Sequence, residues 1–255
     1  MNLYFNTKLA ENYKSPAQII RILTEDWLIH NVYCPCCGAF PVNAFDNNKP
    51  VGDFYCSLCA EQFELKSKNS KTLGKSVADG AYHTMIERIN SDTNPNFFFL
   101  NYSKHDYSVK NLVIVPKHFF TSDIIIPRKN GIPNRPNYIM CSINTAALPN
   151  NGKISIINQG QIVAQEKVLE QWQQNFFLRN MKKENKGWLL TIMNYLDKIP
   201  NGEFSLKQVY DFEPELAQKY PNNNHIKDKI RQQLQFLRDK GMIEFLGNGR
   251  YRKVI

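Results

Sequence analysis

No run of about 18 apolar residues, the length that crosses a bilayer as a helix, occurs anywhere in the 255-residue chain. The opening residues MNLYFNTKLAENYK also lack the apolar stretch that a signal peptide needs. A cytoplasmic protein with no membrane partner is therefore expected. Internal repeats and low-complexity tracts are missing as well, and 42% hydrophobic with 22% charged residues is ordinary for globular domains, which argues against disorder or a fibrous fold. Acidic residues are in short supply: 23 stand against 32 basic ones, for a net charge of +9, and this balance favours an anionic partner such as nucleic acid or a membrane surface. Cysteine is almost confined to one place, since five of the six fall between Cys34 and Cys59. A secreted disulfide scaffold would spread them along the chain, so metal binding is the natural reading.

The length suits one medium and one small domain, each with its own core. Ser15 is a plausible cap for a helix running to about Leu28, with Pro16 at its first position and Ile19, Ile20, Leu23 and Trp27 on one face. Ser76 is expected to cap a second helix carrying Ala78, Tyr82, Met85, Ile86 and Ile89, ended by Asn94-Pro95-Asn96. Phe97 to Tyr102 and Leu112 to Val115 read as buried strands. From Thr121 to Gly160, Pro127, Pro133, Pro136 and Pro149 break any long element, leaving loops and short strands. The polar stretch from Arg179 to Gly187 is expected to be a linker, which places one domain over residues 1–180 and a second over 181–255. The class is mixed α/β (α+β).

Cys34-Pro35-Cys36-Cys37 and Cys56-Ser57-Leu58-Cys59 each contain a Cys-x-x-Cys pair, with residues 38–55 between them. That is the spacing of a four-cysteine zinc site, in which two short turns converge four soft thiolates on Zn²⁺. Cys36 is the spare thiol. Four protein ligands leave no open position for water, so a zinc ion held by Cys34, Cys37, Cys56 and Cys59 is structural, and chemistry has to come from elsewhere.

Interleaved with the second pair are Asp53 and, beyond it, Phe63-Glu64-Leu65-Lys66. Residues two apart on a strand share a face, so Glu64 and Lys66 point together while Phe63 and Leu65 turn to the core. If a strand from Val51 to Tyr55 pairs with this one, Asp53 joins Glu64 to offer hard oxygens to a Mg²⁺-like cation, with Lys66 beside them. Phosphodiester hydrolysis needs such parts: a metal that polarises the phosphoryl oxygen and activates water, and a cation for the charge that develops. Glu25 and Asp26, on the first helix, are read as solvated acids.

Asp53 followed by Glu64-Leu65-Lys66, a helix and buried strands resembles the core of the PD-(D/E)XK nucleases. The resemblance implies that Asp53 and Glu64 are metal ligands and that Asp53, Glu64 and Lys66 form the catalytic set. Pro50 stands three residues before Asp53 rather than directly before it. Ile22-Leu23-Thr24-Glu25-Asp26-Trp27, Asp53-Phe54-Tyr55-Cys56, Phe63 to Lys68 and Asn96 to Leu100 are moreover similar to segments of methyl-directed restriction endonucleases, and the likeness spans nearly the whole chain.

In the C-terminal part, Trp188, Leu189, Ile192, Met193 and Leu196 form one helical face, and Ser205 can cap a second helix through Tyr210. A third helix is expected over Asn222 to Lys240, with Ile226, Ile230, Leu234 and Leu237 as its stripe and Gly241 at its end. Met242 to Phe245, the turn Gly247-Asn248-Gly249, and Arg250 to Arg252 make a hairpin, so the domain reads as a winged helix. Arg231, Gln232 and Gln235 lie off the apolar stripe and suit phosphates and base edges in a major groove. Asn223-Asn224-His225-Ile226 and Ile230 to Leu234 resemble the recognition helix of the methyl-directed enzymes, which adds His225 to the DNA-contact candidates.

The resemblance implies a monomeric type II enzyme, with catalytic Mg²⁺ and structural Zn²⁺, that cleaves double-stranded DNA at GATC sites bearing N6-methyladenine. Sensing a methyl group needs an apolar or aromatic pocket, for which Tyr138 is a candidate. Two rivals stand beside this reading: a zinc and winged-helix regulator without catalysis, and a nuclease of the same fold with another target.

Overall fold

The computed structural model describes residues 1–46, 52–91, 93–132 and 134–254; Pro50, Val51 and Pro133 lie outside them. The chain divides into two compact units, Met1–Leu148 with Gly152–Asn180, and Pro149–Asn151 with Met181–Ile255.

Pro16, whose fixed φ suits a first helical turn, starts α1 (Pro16–Asn31), which buries Leu23, Thr24, Trp27 and Leu28. Trp27 Nε1 donates to the Asn2 carbonyl at 2.7 Å, so the indole is buried without an orphaned donor. The strands β1 (Asn43–Ala44), β2 (Phe54–Tyr55) and β3 (Gln62–Asn69) follow, with β4 (Val77–Ala81) and α2 (Tyr82–Ile89) after them. Then come β5 (Asn96–Ser103), β6 (Ser108–Val115), β7 (Ile125–Pro127), β8 (Met140–Ile143), β9 (Ile154–Asn158), β10 (Gln161–Ile162) and α3 (Gln165–Gln174). The main sheet has the order β1-β2-β3-β5-β6-β9-β10, in which only β3 and β5 pair in parallel. A smaller antiparallel sheet has the order β4-β8-β7.

Strand β5 lies in the middle of the main sheet, where both faces are covered, which is why Phe97, Phe98, Phe99 and Leu100 are consecutive apolar residues rather than an alternation. Phe98 meets Phe63 of β3 with ring centroids 5.0 Å apart, while Phe97 meets Phe120 at 4.5 Å. The sheet is thus anchored by Phe63, one residue from Glu64.

The helix expected from Ser76 begins later. Val77 to Ala81 pair with Met140 to Ile143 as β4, and α2 starts at Tyr82. Ala78, Asp79 and Gly80 have little intrinsic strand preference, so pairing with a strand far along the chain decides their conformation. The linker expected from Arg179 to Gly187 is also shorter. Arg179 belongs to the 3-10 turn Phe176–Asn180, and α4 (Lys183–Lys198) is already helical at Lys183.

In the second unit α4 is buried on most sides, with Trp188 stacked on Tyr220 at 3.8 Å between centroids. It is followed by β11 (Glu203–Ser205), α5 (Leu206–Tyr210), α6 (Glu213–Lys219), α7 (Ile226–Asp239), β12 (Ile243–Gly247) and β13 (Arg250–Lys253). Ser205 caps α5 through a reciprocal box with Gln208. Two elements go beyond the expected three helices and hairpin. Helix α6 starts at Glu213-Pro214, and β11 joins the hairpin as the edge of a sheet ordered β11-β13-β12. Helix α7 starts at Ile226 rather than Asn222, because His225 occupies its N-cap position and Asn223 Oδ1 accepts the His225 N–H at 2.8 Å. Among the described residues no helix is long and apolar enough to cross a membrane.

Candidate nuclease site and zinc knuckles

Each Cys-x-x-Cys pair is a tight turn closed by backbone hydrogen bonds. The Gly38 N–H donates to the Cys34 carbonyl at 2.8 Å and the Cys34 N–H to that of Ala39 at 2.8 Å. Gly38 has a φ of +79°, which is why glycine stands there; a Cβ would meet the movable end of the Gln165 side chain, Nε2, at 2.8 Å. The second turn repeats the plan, with the Ala60 N–H on the Cys56 carbonyl and the Cys56 N–H on the Glu61 carbonyl, each at 2.9 Å. The Sγ atoms of Cys34, Cys37, Cys56 and Cys59 all lie within 4.8 Å of one another, with Cys34 to Cys59 at 3.5 Å and Cys37 to Cys56 at 3.6 Å. A tetrahedral Zn–S distance of about 2.3 Å puts sulfurs about 3.8 Å apart, so the cluster could hold zinc as it stands. Burial pushes the Cys34 thiol far up and the Cys59 thiol up to about 12, and a divalent cation supplies the charge that turns such thiols into thiolates. Cys36 lies outside this group of four.

The second knuckle is tied to the core through Glu61, which is 4% exposed. Glu61 Oε1 pairs with Arg179 Nη2 at 2.6 Å, and Oε2 accepts from Asn96 Nδ2 at 2.9 Å with Lys117 Nζ at 3.3 Å. A buried acid with three such partners is tolerated because both of its oxygens are paired.

Between the knuckles and the sheet lies the acidic and basic cluster. The Asp53 N–H donates to the Phe63 carbonyl at 2.9 Å, and β2 pairs with β3 in the register Phe54 to Phe63. Asp53 therefore sits beside β3, where its Oδ2 accepts the Leu65 N–H at 2.8 Å. Burial pushes the Asp53 carboxyl above its ordinary value, the Leu65 hydrogen bond works against the shift, and Glu25 of α1 adds to it. Glu25 is itself paired with Arg21 at 2.7 Å. Glu64 and Lys66 share a face of β3, with Lys66 Nζ 2.5 Å from Glu64 Oε1. Burial disfavours the Lys66 ammonium, but Glu64 and Asp79 outweigh it and hold its pKa above the usual lysine value.

Two members of this cluster escaped the sequence reading. Asp79 of β4 binds Lys66 Nζ at 2.5 Å through Oδ1, and Arg88 of α2 pairs with Glu64 Oε2. The displaced start of α2 hid Asp79, and Arg88 on an amphipathic helix looks like any solvated arginine. Chemically, the site offers carboxylates flanking one buried ammonium. Asp53 and Glu64 are hard oxygen donors of the kind that Mg²⁺ takes, and the strain of a desolvated Asp53 is relieved by a cation.

The other candidates fall elsewhere. His225, Arg231, Gln232 and Gln235 are exposed on or just before α7. Arg231 Nη1 donates to Tyr210 Oη at 2.8 Å, and its Nη2 pairs with Asp228, so its guanidinium has a fixed direction. Tyr138, 38% exposed, lies in the β7–β8 connection, and its Oη is 3.8 Å from where a Cβ on Gly80 would be.

A PD-(D/E)XK core stapled by a four-cysteine cluster and followed by a winged helix defines the class as a restriction endonuclease. Comparison with protein families bears this out. The family described as DpnI, Dam-replacing family, matches residues 1–181, and the Dam-replacing HTH domain matches residues 184–253. The chain belongs to the Dam-replacing, DpnI-like family.

Proposed function

We propose that this chain is a Mg²⁺-dependent type II endonuclease that hydrolyses double-stranded DNA at GATC sites carrying N6-methyladenine. Residues 1–180 carry out cleavage, and residues 181–255 contribute DNA contacts. The observation that carries the reading is the meeting of Asp53, Glu64 and Lys66 beside one strand, two carboxylates and a buried ammonium. The methylated target is supported by family membership.

In this mechanism Asp53 and Glu64 hold the divalent cation, which when bound supplies a polarised phosphoryl oxygen and an acidified water. Lys66, kept charged by its carboxylate neighbours, is placed to offset negative charge gathering on the phosphoryl oxygens. Its ammonium is preorganised, so no side-chain ordering remains for the moment of reaction. Gln232 and Gln235 of α7 face solvent with amides that match adenine edges, and His225 flanks the helix start. Arg231, held in direction by Tyr210 and Asp228, suits a phosphate. Tyr138 is the aromatic candidate for contact with the methyl group.

Incubating the full chain with adenine-methylated plasmid, with Mg²⁺ or with EDTA, tests the catalytic claim. Discrete fragments are expected with Mg²⁺ only. DNA that is bound yet stays intact in both would instead mark a zinc-containing winged-helix regulator.

A further inference from the structure

Lys66 has one more partner than a lysine paired with Glu64 requires. Its Nζ lies 2.5 Å from Glu64 Oε1 and 2.5 Å from Asp79 Oδ1, while Glu64 Oε2 is paired with Arg88. The four side chains form a line of alternating charge, Asp79, Lys66, Glu64, Arg88, with relative exposures of 9, 18, 11 and 21%. Both oxygens of Glu64 thus face protein cations. A divalent cation that takes Glu64 competes with them for the same two oxygens.

Asp79 is under no such demand. Its Oδ1 also accepts the Gly80 N–H at 2.7 Å, and its backbone is fixed by the pairing of β4 with β8, opposite Cys141. Its second oxygen, Oδ2, is buried without a hydrogen bond. An acid serving only the turn at Gly80 would leave that desolvation unbalanced, whereas an acid serving a buried ammonium has its charge compensated.

We propose that Asp79 is the positioning residue of Lys66, retaining the ammonium at the site when Glu64 leaves it for a divalent cation. This rests on the reading of Glu64 as a metal ligand and Lys66 as the catalytic lysine. Asp79 acts through Lys66 and touches neither DNA nor metal.

Asp79→Asn keeps the shape and the acceptor for Gly80 but loses the charge, and Ca²⁺ serves as a divalent cation that allows binding to be read by calorimetry on the DNA-bound protein. The single-turnover cleavage rate with Mg²⁺ should fall on the order of a hundredfold, with KM for DNA and the thermal midpoint unchanged. Ca²⁺ binding should weaken several-fold, because Lys66 then has only Glu64 to hold. In a Lys66→Met background the same substitution should leave Ca²⁺ affinity unchanged, since its effect passes through the lysine. Asp79→Glu, which restores the charge, should recover part of the rate. A wild-type rate in Asp79→Asn, an equal Ca²⁺ effect with and without Lys66, or an Asp79→Glu protein no faster than Asp79→Asn would overturn the proposal. Normal cleavage by Lys66→Met, or Ca²⁺ binding indifferent to Glu64→Gln, would instead show that the reading of the metal site is what fails.

Discussion

Replacing Asp53 or Lys66 with Ala should abolish cleavage of adenine-methylated DNA while leaving specific binding in place. Asp53→Ala removes one of the two hard-oxygen donors, and Lys66→Ala removes the ammonium paired with both Glu64 and Asp79. Loss of a single preorganised electrostatic group costs on the order of a thousandfold in rate, and loss of a metal ligand costs more. Binding survives because the winged helix has its own core around Ile226, Ile230, Leu234 and Leu237. The pH dependence follows from the direction of the Asp53 shift. Burial raises its pKa, so protonation begins at a higher pH than for an ordinary aspartate, and cleavage should fall on acidification at a higher pH than an exposed aspartate at the same position would give. Gel assays of cleavage and electrophoretic mobility shifts on the same proteins separate the two effects. Wild-type cutting by either variant would remove that residue from the catalytic set.

The second large effect concerns the four cysteines. Cys34→Ser or Cys59→Ser should lose the metal and unfold the N-terminal unit, whereas Cys36→Ser should keep both. Structural zinc contributes on the order of 10 kcal/mol, comparable to the whole stability of a domain. The knuckles position Asp53 directly, since β2 joins Asp53 to Cys56 and pairs with β3 at Phe63. Metal loss thus disturbs the catalytic strand pair as well as the fold. Because zinc binds thiolates, reloading the metal-free protein with Zn²⁺ should release protons from the cysteines as the unit folds. Metal content by atomic emission and unfolding by circular dichroism check both halves. A stable Cys59→Ser protein that cleaves DNA without zinc would contradict this account of the cysteines.

The parts legible in the sequence were those set by local periodicity or by ligand spacing. Pro16 and the stripe through Trp27 marked α1, the Phe97 to Leu100 run marked a central strand, and Ile226, Ile230, Leu234 and Leu237 marked α7. The two Cys-x-x-Cys pairs specified their own convergence, and the alternation of Phe63, Glu64, Leu65 and Lys66 put Glu64 and Lys66 on one face. What stayed hidden depends on contacts distant in sequence. Nothing local makes Val77-Ala78-Asp79-Gly80 a strand; its partner β8 does, and with that pairing Asp79 arrives beside Lys66. Arg179 looked like linker because its partner, Glu61, is remote in the chain. Strand β11 is defined only by its register with β13.

Methyl-directed cleavage is the centre of the account, and two preparations of one plasmid test it, one from an adenine-methylating host and one from a non-methylating host, each incubated with the protein and Mg²⁺. The account predicts that the methylated plasmid is cut into discrete fragments at its GATC sites and that the unmethylated plasmid remains supercoiled. Equal cutting of both, or cutting of the unmethylated plasmid alone, would contradict it.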